Sequence, residues 1–264
     1  MRMRRYLHDR KILIIVLLIS FTLFGLVSIT AIQGDPVNNG NNSTYKSNPV
    51  LVKVLIYDGD GVIPGSVYGI EDCLNDTNKE NIYSGVYFNY STIGKIDSGT
   101  LSGYDVLIMP GGLATTYLEN PDINSGDLKD FVNNGGGYVG ICAGSYAASS
   151  HVDGYYDGWG IAPHVNSKSV DYVGELQISM TSNGMQVLNS SDKETLYHWN
   201  GPAMYGSNSM AEYAHNETGY QNYSAVMTDT YGSGRVMLSG PHPELNPKDH
   251  EMLVRMILWA SKKI

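Results

Sequence analysis

The sequence predicts an α/β fold: a mostly parallel sheet sandwiched by helices, with an antiparallel extension, preceded by one transmembrane helix. Three observations carry this expectation. Runs such as Leu51–Tyr57 and Val106–Met109 are apolar at nearly every position, as strands buried on both faces require. Helical patterns alternate with these runs up to Ile141, and such alternation goes with a parallel sheet covered on both sides. From Tyr172 to Met237 the pattern changes to alternating apolar and polar positions separated by turn residues, which reads as antiparallel strands.

Taken in order, residues 1–11 form a basic N-terminus with Arg2, Arg4, Arg5, Arg10 and Lys11. An apolar run follows over residues 12–32. About 20 apolar residues span a bilayer, and basic residues ahead of them stay on the inner side. The run therefore reads as a membrane anchor with the C-terminal domain extracytoplasmic. The alternative is a cleaved signal peptide, which would make the domain secreted. The bulky Ile29, two residues before Ala31, makes a poor cleavage site. Residues 33–49, polar and rich in Asn, read as a flexible spacer, and residues 50–264 as one domain large enough to bury its own core.

Within that domain the expected elements are a strand at Leu51–Tyr57, then a helix capped by Ser66 that runs to about Leu74. Strands at Val86–Tyr90 and Val106–Met109 follow, then a helix at Asp127–Asn133 stopped by Gly135-Gly136-Gly137, and a strand at Tyr138–Ile141. The extension holds strands at Val173–Met180, Thr195–Trp199 and Ala225–Thr230. An amphipathic helix from Lys248 to Lys262 closes the chain.

Charge narrows the partners. The whole chain has 17 Lys and Arg against 26 Asp and Glu, and without residues 1–32 the balance is 12 against 25, a net −13. Such a surface repels nucleic acid and anionic headgroups. Seven N-x-S/T sequons after the anchor (Asn41, Asn42, Asn75, Asn89, Asn189, Asn216 and Asn222) are compatible with an exported surface. The two cysteines, Cys73 and Cys142, would form a disulfide by default in an oxidising compartment. Their settings argue otherwise: Cys73 lies in a helical apolar pattern and Cys142 at a turn. Neither the histidines nor Asp153 and Asp157 show metal-ligand spacing, so no metal and no cofactor are expected.

The chemistry-bearing pattern is Gly140-Ile141-Cys142-Ala143-Gly144, a cysteine counterpart of the nucleophile elbow. Its small residues allow neighbouring backbones to pass close to a strained turn. The alternative is a buried cysteine in a glycine-rich turn. In Ser239-Gly240-Pro241-His242-Pro243-Glu244, an extended backbone would project His242 and Glu244 the same way, so that the carboxylate orients the imidazole. The strand ending in Pro110-Gly111-Gly112 offers N–H groups of Gly111 and Gly112, beside that of Ala143, for an oxyanion. Tyr155, Tyr156 and Trp159 stand in an expected loop, His151–His164, that should lie at the rim and wall a substrate pocket, the alternative being aromatic packing over the sheet edge.

The order strand–PGG, GGGYVGICAG, SGPHPE resembles the class I glutamine amidotransferase-like superfamily, a flavodoxin-like architecture, and within it the group typified by the N-terminal domain of biotin–protein ligases. Val54–Gly59 and Tyr197–Pro202 also resemble that group, and the likeness spans about Val50 to Ile264. It implies Cys142 as nucleophile, His242 as base, Glu244 as orienting carboxylate, Gly112 and Ala143 as oxyanion donors, and Asn200 and Tyr146 at the substrate. Where glutamine-using members carry Gln or His two residues past the elbow's second glycine, this chain has Tyr146. No biotin-ligase catalytic motif is present in the sequence. The expected function is a membrane-anchored hydrolase cleaving an amide or related acyl bond in a small molecule or peptide, with a non-catalytic binding or sensor domain as the alternative.

Overall fold

The computed structural model describes residues 49–264. The basic N-terminus 1–11, the apolar segment 12–32 and the spacer as far as residue 48 lie outside the described residues. Among the described residues no helix is long and apolar enough to cross a membrane.

The first half of the domain alternates strands and helices: β1 (Val50–Tyr57), α1 (Pro64–Glu80), β2 (Val86–Ile93), α2 (Ser98–Leu101), β3 (Val106–Met109), α3 (Ala114–Glu119), α4 (Ser125–Asn133), β4 (Gly137–Ile141) and α5 (Ala143–Ala148). The second half is mostly strand: β5 (Ser149–Val152), β6 (Tyr156–Asp157), β7 (Ala162–Lys168), β8 (Val173–Met180), α6 (Ser182–Leu188), β9 (Lys193–Trp199), β10 (Ala203–Tyr205), β11 (Asn208–Tyr213), β12 (Ser224–Tyr231) and β13 (Gly234–Ser239), closed by α7 (His250–Ala260). Residues 151–164, expected as a loop, instead contribute to β5, β6 and β7.

Five strands run parallel in the order β2-β1-β3-β4-β13. From β13 the sheet continues through antiparallel β12, then β10, β7, β5 and β6, with β11, β8 and β9 branching from β12. The segment Arg235–Leu238, expected to close the antiparallel extension, is therefore the fifth parallel strand. That register positions the site. Ser239 pairs with Ile141, and Met109 with Gly140, so β3, β4 and β13 release their chains side by side at one edge of the sheet. Ligands of open α/β sheets bind beyond the carboxyl ends of the strands.

The apolar strands split their side chains between two cores, as the period of two demands. Val54, Ile56, Ile108 and Val139 face one core with α1 and α7, while Leu55, Leu107, Met109 and Tyr138 face the other with α3, α4 and α5. Each fully buried side chain of this size stabilises the fold by roughly 1.5–3 kcal/mol. Helix α7 packs through Met252, Leu253, Met256 and Ile257, and its first turn is capped by Asp249, which accepts from the Met252 N–H at 2.9 Å.

Helix α1 departs from expectation at both ends. It is Ile63, not Ser66, that precedes the first turn, and Pro64 opens the helix with a φ already suited to it. The helix runs past Leu74 to Glu80 and ends on Asn81 at φ 51. The two cysteines are free. Cys73 is sealed in the α1–α7 core, and burial pushes its thiol up to about 12.

Candidate active site

Cys142 sits between β4 and α5 with φ 51 and ψ −104, a conformation L residues rarely adopt. The surrounding glycines explain how the turn fits. A Cβ on Gly144 would stand 2.1 Å from the Met109 carbonyl oxygen, and one on Gly140 would lie 2.8 Å from Gly144. Ser145 locks the turn by donating to the carbonyls of Gly140 (2.9 Å) and Ser239 (2.8 Å), tying β4 to β13 beneath the cysteine. The Cys142 side chain is 4% exposed, and its thiol donates to the Trp199 carbonyl at 3.3 Å.

His242 and Glu244 are fully buried, and Nδ1 of the imidazole meets Oε1 of the carboxylate at 2.7 Å. His242 forms an isolated antiparallel bridge with Tyr197, its backbone N–H donating to the Tyr197 carbonyl at 2.8 Å, and Pro243 and Glu244 turn away directly after it. With Nδ1 taken by the carboxylate, Nε2 is the nitrogen left over, and it is buried with no hydrogen-bond partner among the described residues. Burial alone would lower the imidazole's pKa. The Glu244 charge, the hydrogen bond to it and the nearby Cys142 sulfur outweigh it and raise the value to about 10.

A fourth side chain completes this cluster. Ser66 on α1 donates to Glu244 Oε1 at 2.6 Å and accepts from the Gly111 N–H at 2.9 Å. The chain Gly111–Ser66–Glu244–His242 thus links the loop after β3 to the loop after β13. Sequence reading placed Ser66 at the helix cap because serine before an apolar helical pattern is the usual cap signal; no local signal marks a contact 178 residues away. His198 lies behind the pair with neither ring nitrogen hydrogen-bonded, and burial together with the His242 charge lowers its pKa to about 3.

Two of the three expected oxyanion donors are available. The N–H groups of Gly112 and Ala143 have no acceptor among the described residues, and both residues line the cleft beside Cys142. Gly111 is a correction. Its N–H is spent on Ser66, and its place is structural: a Cβ there would stand 2.4 Å from His242 Cε1.

The cleft over Cys142 measures about 510 Å³ and is lined by Tyr146, Tyr156 and Asn200, as expected, together with Trp199, Val62, Ile63 and Leu113. Tyr146 bridges its walls by donating to the Asn200 carbonyl at 3.1 Å. Tyr155 and Trp159 are corrections to the expected lining. Tyr155 is 69% exposed and borders a neighbouring depression, because the tight turn between β5 and β6 carries it outward. Trp159 packs inward against the core behind the elbow, its N–H bonded to the Ala147 carbonyl at 2.7 Å. Trp199 was legible only as the end of a strand.

Residues 52–159 match the family model described as the N-terminal region of biotin-protein ligase. This stretch is similar to that family. A biotin–protein ligase of Schizosaccharomyces pombe is 28% identical over 172 residues, which cover 56% of this chain and 27% of the ligase. The chain thus spans about a quarter of the length of that curated relative. Among solved structures, a glutamine amidotransferase superposes with a TM-score of 0.55 at 17% identity, covering 79% of this chain and 98% of that one. A β-galactosidase from Rahnella sp. R3 superposes with a TM-score of 0.57 at 14% identity, covering 80% of this chain and 31% of that one. At these identities the superpositions show a shared α/β fold and no more, and the N-terminal family match takes in the loops after β3 and β4.

Proposed function

We propose that the domain is a cysteine hydrolase acting on an amide or related acyl bond. The observation that carries the reading is that Cys142 and two unsatisfied N–H groups, from Gly112 and Ala143, line one cleft, with the buried His242–Glu244 pair near enough to the cysteine for the two to interact electrostatically. In the reaction, His242 Nε2 takes the thiol proton and the sulfur attacks the carbonyl carbon. The oxyanion is held by the Gly112 and Ala143 N–H groups. The imidazolium returns the proton to the leaving amine as the C–N bond breaks, leaving a thioester. Water, deprotonated by the same imidazole, then hydrolyses the thioester and frees the thiol. The raised proton affinity of His242 favours its taking the thiol proton, which leaves a thiolate–imidazolium pair.

The second reading, a non-catalytic binding domain, draws on one observation: the thiol donates to the Trp199 carbonyl. Turnover by the full-length chain of a panel of chromogenic amides and thioesters, beside Cys142→Ala, separates the two. Cys142-dependent turnover supports the hydrolase. Alkylation of Cys142 by iodoacetamide at about pH 6 no faster than that of an ordinary thiol sinks it. Residues 12–32 are proposed to anchor the chain with the domain outside the membrane, on the strength of the apolar run and the basic residues before it. Protease accessibility of the domain on intact cells tests that orientation.

A further inference from the structure

The cleft above Cys142 has no Asp, Glu, Lys or Arg in its lining. Its polar members are neutral. Thr115 supplies a hydroxyl, and Asn200, whose Oδ1 already accepts from the Tyr172 N–H at 3.0 Å, keeps its amide NH₂ for a ligand. Two large apolar side chains are left in water at its edge, Leu113 at 64% and Trp199 at 42% exposure. A ligand that covers them gains the free energy of removing that surface from water. A ligand that brings a charge into this lining loses hydration with no counter-charge to replace it. The net charge of −9 disfavours anions further.

We infer that the substrate is an uncharged amide with an aromatic or branched aliphatic group, seated against Trp199 and Leu113, and that a free amino-acid amide, glutamine included, is rejected. A free amino acid carries an ammonium and a carboxylate, and the lining pairs neither. Tyr146 closes the wall by its bond to the Asn200 carbonyl. The inference rests on Cys142 being the nucleophile.

The test uses two alkylating amides of matched reactivity toward glutathione, N-(2-phenylethyl)chloroacetamide and the zwitterionic Nδ-chloroacetyl-ornithine, on the full-length chain, with Cys142→Ala to confirm the site. Intact mass gives the rate of Cys142 labelling. The neutral aromatic probe should react at least about tenfold faster, a difference of roughly 1.4 kcal/mol in barrier. Trp199→Ala should cut that preference about threefold or more, and Leu113→Ala, at an exposed position, serves as the second variant. Equal rates, or a faster zwitterion, with both well above the glutathione rate, overturn the substrate class and leave the nucleophile intact. If neither probe outpaces glutathione, the nucleophile itself fails. Quenching of tryptophan fluorescence in Cys142→Ala by N-(2-phenylethyl)acetamide then decides the cleft alone, and no response at millimolar ligand overturns the inference.

Discussion

Cys73 and Cys142 are both free, both buried, and both part of the same core, yet their surroundings share little. Cys73 lies in the middle of α1, with apolar side chains around it, a backbone carbonyl 3.6 Å away and a thiol that burial makes harder to ionise. Cys142 interrupts the backbone at positive φ, beside an imidazole that a buried carboxylate keeps charged. Burial therefore does not separate a packing thiol from the proposed nucleophile. Backbone geometry and the histidine in the loop after β13 do.

The comparison breaks most directly at Cys142→Ala, which should lower turnover by about 10⁴-fold while Cys73 stays unlabelled by iodoacetamide until the chain is unfolded. Peptide mapping after native and denatured labelling reads both thiols at once. Glu244→Gln keeps the shape but removes the charge that holds the imidazole, and kcat should fall on the order of 10³-fold with KM little changed. Ser66→Ala leaves the Gly111 N–H and one Glu244 oxygen without their shared partner. It should slow turnover about tenfold and destabilise the fold by about 1–3 kcal/mol, and Ser66→Thr should recover part of both.

The next expectation concerns pH. His242 has a folded pKa raised to about 10, so its contribution to stability is complete below about 6.5 and is lost as pH climbs toward 10. His198 has a folded pKa lowered to about 3, so the unfolded chain binds the extra proton and stability falls as pH drops below about 6.5. The thermal midpoint should therefore peak near neutrality. His242→Gln should flatten the alkaline limb and His198→Phe the acid limb; limbs unchanged in these variants contradict the assignment. The smallest effect belongs to Cys73→Ala, which should cost about 1–2 kcal/mol of stability through a small cavity and leave kcat unchanged.

Most of the parallel half was legible because its signals are local. An apolar run in Val106–Met109 can only be a strand covered on both faces, and glycines around Cys142 mark a turn that admits no side chains. Helices α2 and α3 were missed because each is a turn or so long, too short to show a period. The β5–β7 segment read as a loop because its aromatics and glycines mask a two-residue strand. Gly111 and Gly112 look alike in sequence. Their N–H groups diverge only because α1 brings a serine to one of them.

The sequence by itself marked the glycine-rich turn, the order of the three site loops and Cys142, His242 and Glu244 as candidates, through short local patterns joined by a family resemblance. Tertiary structure alone decided that Ser66 joins Glu244, that Trp159 turns inward while Trp199 edges the cleft, and that the cleft is free of charge. Those outcomes depend on which strands lie adjacent and in what register, and register is fixed by packing across the whole sheet rather than by any local run of residues.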